Sequence, residues 1–299
     1  MTAFLYYTTV AFVAYCALTA ALFMLSFIIP RAGFFARSLA MYMTFLWAAI
    51  FGVISSIVLT LVGRQSIAQW ATARAFLYSA RLTTGTTFQV DDPNDILGST
   101  RPAIFIGNHQ TELDVLMLGA VFPKHCSVTA KRSLKHIPLL GWFMTLSGSI
   151  FIDRANSKDA RQAMQGAADE IKARKQSVYM FPEGTRSYTK EPTLLPFKKG
   201  AFHLAVQAGV PIVPCVVANY SHILYPKDFV FNAGVVPIKI LDPIPTEGLT
   251  TADVDELTRT TRELMLEELM SITAKARGQP IAVPANISSA KSSGVDIKS

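Results

Sequence analysis

Ala103-Ile-Phe-Ile-Gly-Asn-His-Gln-Thr-Glu-Leu-Asp-Val-Leu-Met-Leu-Gly-Ala-Val121 decides how this chain folds. Ala103–Ile106 is a short, unbroken apolar run of the kind that forms a strand buried on both faces. Leu113–Val121 is long enough for a short helix, and the polar stretch Gly107–Asp114 joins the two. The same alternation continues downstream. Strands are expected at Ser127–Ala130, Ser149–Ile152, Val178–Phe181, Ile212–Val217 and Val236–Leu241, and helices at Asp159–Arg174, Gly200–Ala208 and Asp253–Arg277. Strands and helices at this spacing predict one mainly parallel sheet flanked by helices, an α/β body. Leu204–Pro226 carries no charge, but Gly209, Pro211 and Pro214 interrupt it, so it reads as a buried strand and its flanks rather than a membrane span.

Upstream the composition changes. Met1–Pro30 and Ser38–Gly63 contain no charged residue, and each exceeds the roughly 20 apolar residues that cross a bilayer core. No basic residue precedes Arg31, and a second apolar run follows at once, which argues against a cleaved signal peptide. Two membrane helices are expected, joined by a turn around Arg31–Ala36; a hairpin dipping into one leaflet fits almost as well as two full spans. The expected organisation is a membrane helical hairpin at 1–63, an amphipathic membrane-surface linker at 64–90 that is helical over Gln65–Leu82, a body at 91–278 opened by the turn Asp91-Asp92-Pro93-Asn94-Asp95, and a disordered tail at 279–299 rich in Pro, Ser, Ala and Gly.

The net charge of +7 is uneven. Arg31, Arg37, Arg64, Arg74 and Arg81 all precede the first acidic residue, Asp91, so most of the excess flanks the apolar segments. That pattern points to membrane lipid, and no basic stripe with interleaved aromatics supports a nucleic-acid partner. Cys16, Cys126 and Cys215 lack metal or redox spacing and are expected to be buried and inert.

Chemistry concentrates just beyond the strand ends. In Asn108-His109-Gln110-Thr111-Glu112-Leu113-Asp114, a carboxylate in the first helical turn can fix the tautomer of His109 and leave its other nitrogen free to accept a proton. Thr111-x-x-Asp114 also matches a capping box, so Asp114 has a purely structural alternative. Phe181-Pro182-Glu183-Gly184-Thr185-Arg186-Ser187 offers a glycine turn, hydroxyls and a guanidinium suited to phosphate; an ordinary polar turn is the alternative. Arg154 ends the strand Phe151-Ile152-Asp153-Arg154, and Lys131 follows Ala130; each alone reads as a solvated surface cation. Together these residues fall at the carboxyl edge of the sheet, where open α/β sheets bind ligands.

The four blocks Asn108–Asp114, Phe151–Arg154, Phe181–Ser187 and Val210–Pro214, in this order, resemble the 1-acyl-glycerol-3-phosphate acyltransferases of the glycerolipid acyltransferase superfamily. The similarity spans roughly residues 80 to 245. It implies His109 as general base, Asp114 as its orienting acid, and substrate binding by Lys131, Arg154, Glu183, Gly184, Thr185 and Arg186. It also implies acyl-CoA as co-substrate with no metal or other cofactor, lysophosphatidic acid as acceptor, and a membrane of the endoplasmic reticulum with the catalytic body open to the cytosol. The Val210–Pro214 block would pack beside the acyl chain or CoA, and Gln110 is similar to the lysophosphatidic acid branch. Other lysophospholipids, glycerol 3-phosphate, or a non-catalytic lipid-binding role on the same fold remain the alternatives at this point.

Overall fold

A computed structural model describes residues 2–152 and 157–278. In chain order the elements are α1 (Thr2–Leu25), α2 (Pro30–Leu61), α3 (Ala68–Thr84), β1 (Thr86–Asp91), α4 (Ile96–Ser99), β2 (Ile104–Gly107), α5 (Asp114–Val121), β3 (Cys126–Lys131), α6 (Leu140–Leu146) and β4 (Ile150–Ile152). They continue with α7 (Ser157–Arg174), β5 (Ser177–Met180), α8 (Gly200–Ala208), β6 (Ile212–Val217), β7 (Leu224–Tyr225), β8 (Val230–Phe231), β9 (Gly234–Ile240) and α9 (Val254–Arg277).

Seven strands form one sheet in the order β1-β9-β6-β2-β5-β3-β4, while β7 and β8 form a separate small hairpin. Pairing is parallel throughout the large sheet except between β6 and β9. The expected α/β class holds. Alternation along β2 sends Phe105 to one face and Ile104 and Ile106 to the other, because successive strand residues point oppositely. On the Phe105 face the core includes Met41 and Ala48 of α2, Phe76 and Ala80 of α3, and Leu116 and Met117 of α5. On the opposite face lie Ile171 of α7, Phe202 and Leu204 of α8, and Met265 and Leu269 of α9. The architecture is therefore three layers, helix, sheet and helix.

Four readings of the N-terminal region need correction. First, Arg31–Ala36 is helical; Pro30 sits at the first turn of α2, where its missing N–H costs nothing, and the connection lies at Ser26–Ile29. Second, residues 64–90 are not a surface linker. They contain α3, which buries Ala68, Thr72, Phe76, Ala80 and Thr84 at four-residue spacing, and β1, which pairs in parallel with β9. Third, Arg37 donates to the carbonyls of Thr84 and Phe231, and Arg74 donates to those of Gly119 and Ala120 at the end of α5. These two cations serve the fold rather than lipid. Fourth, Cys16 is exposed on α1, whereas Cys126 and Cys215 are buried as expected, their thiol pKa values pushed up chiefly by burial.

α1 and α2 are long and apolar enough to cross a membrane. They differ in how they are used. α1 has no buried residue, whereas α2 buries a stripe of small residues, Ala32, Ala36, Ala40, Thr44, Ala48, Gly52 and Ser56. Small side chains let α3 and α6 approach closely: a Cβ on Gly52 would stand 2.6 Å from the Phe143 ring of α6. The other side of α2 exposes Leu46, Trp47, Ile50, Ile54, Ile57 and Leu61. One face of α2 thus belongs to the body and the other is apolar and uncovered. The tail at 279–299 lies outside the described residues.

The α3–α5 contact admits a direct test. A Cβ on Gly119 would lie 2.6 Å from the Ala73 carbonyl oxygen and 2.6 Å from the Leu77 Cβ. Gly119→Val should cost about 1–3 kcal/mol by overpacking. At the size of this body that lowers the thermal midpoint by about 2–12 °C, measurable by scanning fluorimetry in detergent; an unchanged midpoint would show that the two helices do not meet there.

Candidate active site

The site forms where β2, β5 and β6 end, since these three parallel strands discharge at the same edge. Gly107 closes β2 because nothing larger fits: a Cβ there would sit 2.2 Å from the Tyr179 hydroxyl of β5. Asn108 then clamps β6 with both ends of its amide, donating to the Val217 carbonyl at 3.0 Å and accepting from the Val217 N–H at 2.8 Å. Gln110 is spent similarly, its Nε2 donating to the carbonyls of Val217 and Ala218. It supports the loop and does not line the site.

His109 sits between these anchors. Its Nδ1 lies 2.7 Å from Asp114 Oδ2, and its ring stacks on Phe181 at 4.2 Å between centroids. Asp114 is fully buried. An ionised carboxylate can only accept, so Nδ1 carries the proton and Nε2 is the basic nitrogen. The imidazole is 18% exposed, and Nε2 has no hydrogen-bond partner among the described residues. A base with an open lone pair is the result.

Asp114 holds the loop before α5 as well as the imidazole, although the N-cap position itself, Leu113, has no side-chain cap. Asp114 Oδ2 also accepts from the N–H groups of Gln110 at 2.6 Å and Thr111 at 3.1 Å, while Thr111 Oγ1 accepts from the Leu113 N–H. Tyr220, which sequence reading did not single out, donates its hydroxyl to Asp114 Oδ1 at 2.6 Å and accepts from the Thr111 N–H. Burial, and then the negative charge of Asp114, hold the Tyr220 phenol well above its ordinary pKa, so it stays a donor. Its only sequence signal is its place soon after the fourth block, and 106 residues separate it from its partner.

The Glu183–Arg186 turn is fastened directly onto the histidine loop. Ser187 N–H donates to the His109 carbonyl at 3.0 Å, and Tyr188 N–H to the Gln110 carbonyl at 3.1 Å. Gly184 supplies the left-handed bend at φ +69°, and a Cβ there would press on the Lys198 side chain at 2.9 Å. Glu183 does not face a substrate, contrary to the expectation. It is buried, with Oε1 accepting from the His109 N–H at 2.7 Å and Oε2 from the Leu195 N–H at 2.9 Å. Burial raises its pKa; the two amide bonds pull the other way. Both oxygens are occupied, so its role is to position the loops.

Arg186 does face the opening. Its Nη1 donates to Glu112 Oε1 at 2.7 Å and to the Tyr188 hydroxyl at 3.3 Å. Its Nε and the Ser187 hydroxyl are shielded from solvent and have no partner among the described residues. Thr185 is exposed at the tip of the turn. Lys131 ends β3, two strands from β2 and about 10 Å away laterally, so it shares the edge without touching His109. Arg154 lies outside the described residues. The Val210–Pro214 block enters β6, which is buried between β2 and β9, so it packs the sheet and does not flank a substrate.

An apolar cavity of about 420 Å³ adjoins this site. Phe34, Met41 and Phe45 of α2 line it with Phe231 of β8, and Glu112, Tyr188 and Lys227 are among its polar lining. A larger cavity of about 690 Å³ lies between α1, α2 and α3 and contains none of the residues just described.

An α/β sheet with a carboxylate-held histidine and a guanidinium at its carboxyl edge is the arrangement of an enzyme suited to general-base chemistry on a substrate bearing an anionic group. Comparison with known proteins is specific. Residues 88–218 match the Acyltransferase family model. A 1-acyl-sn-glycerol-3-phosphate acyltransferase of Saccharomyces cerevisiae is 44% identical over 245 residues, covering 82% of this chain and 80% of the relative. The human 1-acyl-sn-glycerol-3-phosphate acyltransferase beta is 36% identical over 258 residues, 86% of this chain and 91% of the relative. The crystal structure of a 1-acyl-sn-glycerophosphate acyltransferase from Thermotoga maritima has the same fold, with a TM-score of 0.53 at 22% identity over 75% of this chain and 95% of that one. This chain belongs to the 1-acyl-sn-glycerol-3-phosphate acyltransferase family.

If Nε2 is the base, His109→Ala should lower kcat by at least about 10²-fold while leaving donor binding in place. Asp114→Asn discriminates further. Asn caps helices well, but its amide cannot accept from His109 Nδ1, Gln110, Thr111 and Tyr220 together, so turnover should fall by a similar order with a folded body by circular dichroism. Near-normal turnover in Asp114→Asn would reduce this residue to a cap.

Proposed function

We propose that this protein transfers an acyl group from acyl-CoA to the sn-2 hydroxyl of 1-acyl-sn-glycerol 3-phosphate (lysophosphatidic acid), giving phosphatidic acid and CoA for phospholipid synthesis. The observation that carries the reading is the backbone fastening of the Arg186 turn onto the His109 loop. It holds a general base and an anion-seeking guanidinium as one unit, which suits an acceptor carrying both an alcohol and a phosphate.

In this mechanism His109 Nε2 removes the proton from the acceptor hydroxyl as its oxygen attacks the thioester carbonyl. Asp114 stabilises the imidazolium that forms. The tetrahedral intermediate collapses by breaking the carbon–sulfur bond, and the thiolate or its surrounding water takes up the proton from His109. No covalent enzyme intermediate is required, because CoA is already a good leaving group. The base contributes about 10²- to 10⁴-fold, and holding two substrates in register contributes more.

Phosphate binding is assigned to Arg186, with Gly184 and Thr185 shaping the turn and Lys131 adding positive potential along the same edge; Arg154 is assigned to the phosphate on its sequence block alone. The unpartnered Nε of Arg186 and hydroxyl of Ser187 support a missing anionic ligand, since a shielded donor left unmade costs about 1–3 kcal/mol. The apolar cavity under α2 supports a substrate with a hydrocarbon chain. It also supports a membrane setting, in which the uncovered face of α2 and the whole of α1 meet lipid.

Measuring thiol release in nanodiscs tests the assignment. Lysophosphatidic acid with acyl-CoA should support turnover, and a monoacylglycerol lacking the phosphate should not. Arg186→Lys keeps the charge but loses the planar fork, so KM for lysophosphatidic acid should rise by about tenfold, the loss of one charge-assisted bond, while KM for acyl-CoA changes little. A rise confined to acyl-CoA would move Arg186 to the donor site.

A further inference from the structure

Three carboxylates surround the candidate base, and they differ in freedom. Asp114 is fully buried and held by four donors, and Glu183 has both oxygens fixed by backbone amides. Neither can move without leaving buried donors unmade. Glu112 is different. Its side chain is 44% exposed and contacts a guanidinium that is itself 35% exposed, in the polar lining of the cavity beneath α2. Its Oε1 takes both the Arg186 Nη1 and the Tyr188 hydroxyl.

A carboxylate and a phosphate monoester offer a guanidinium the same kind of paired oxygens. A phosphate drawn to the unpartnered Nε of this guanidinium would stand close to the Glu112 carboxylate on Nη1, and two anions held that close repel. The geometry points to Glu112 as an internal competitor for the acceptor phosphate: it occupies Arg186 when the site is empty, yields it to the lipid, and takes it back as the product leaves. This inference rests on the reading of Arg186 as the phosphate clamp.

The chemistry explains why a competitor is useful. Acylation at the hydroxyl leaves the phosphate untouched, so acceptor and product grip Arg186 alike. A carboxylate that returns to the guanidinium weakens both to the same degree, which is uniform binding; it raises the acceptor's KM but relieves inhibition by product. Release of the phosphate then proceeds by exchange of one anion for another, so Arg186 is never left without a counter-ion. A half-exposed ion pair shifts such an equilibrium by a factor of about two to five.

Glu112→Gln in the full-length protein in nanodiscs removes the charge and keeps the shape. The expected result is a fall of about two- to five-fold in both KM for lysophosphatidic acid and the inhibition constant of phosphatidic acid, with KM for acyl-CoA shifting less. Glu112→Asp, which keeps a shorter competitor, should fall between wild type and Glu112→Gln in both constants. A rise in the two constants would make Glu112 a support that positions Arg186, and no change would make the pair inert; either result overturns the proposal. Arg186→Lys measured in parallel separates the two layers of the argument. If it raises KM for the lipid while Glu112→Gln does nothing, the clamp stands and the competitor falls. If it has no effect on the lipid, the clamp itself is wrong and the competitor falls with it.

Discussion

A carboxylate removed from water must be solvated by the protein, and the loops of this molecule are arranged around that demand at Asp114. Its two oxygens accept from one imidazole, two backbone amides and one phenol. Leaving such a charge uncompensated is strongly destabilising, by about 3–5 kcal/mol when one partner is removed. The donors come from the loop after β2 and the segment after β6, so satisfying Asp114 also fixes how those two chain segments meet. Asn108 and Gln110 reinforce the junction through Val217 and Ala218. The tautomer and direction of His109 are consequences of this arrangement.

Glu183 repeats the device one strand away. Its carboxylate joins the His109 amide to the Leu195 amide, drawing the loop after β5 across the top of β2. Two buried carboxylates thus hold the site together while a third, Glu112, stays partly in solvent beside Arg186. Burial separates their duties: a carboxylate enclosed by donors is fixed, and one with an open side can exchange partners.

The sheet and most of its helices were legible in the sequence because parallel strands buried on both faces are written as unbroken apolar runs. Ile104–Ile106 and Ile212–Val217 needed no further context. β1 was not legible, since Thr86–Asp91 is an edge strand whose half-polar sequence resembles a loop and whose partner lies about 150 residues on. The role of α3 was hidden for a related reason. Its buried stripe is largely Ala and Thr, so packing there depends on small size and close approach, which hydrophobic patterning does not register. At the site, His109, Asp114 and Arg186 were readable as motifs, because local spacing alone brings the first two together. Tyr220 and the inward turn of Glu183 were not, because each depends on which loops the finished sheet brings into contact. The block Val210–Pro214 shows the converse: a recognisable sequence element that serves the sheet and carries no chemistry.

The placement of α2 links this site to the apolar outer face of the N-terminal helices. A helix of 32 residues is about 48 Å long, yet its small-residue stripe from Ala32 to Ser56 is buried along most of that length. A body that covers a helix so extensively cannot also leave that helix surrounded by hydrocarbon. α2 therefore leaves one apolar face uncovered, the face bearing Leu46, Trp47, Ile50, Ile54 and Ile57. Its remaining side supplies Met41 and Ala48 to the core and Phe34, Met41 and Phe45 to the cavity that ends at Glu112 and Tyr188. The same helix carries the uncovered apolar face and a wall of the cavity that ends at Glu112. On the proposed reading, an acceptor can keep its hydrocarbon chain against α2 while its phosphate reaches Arg186, and desolvation of the chain is never interrupted by open water.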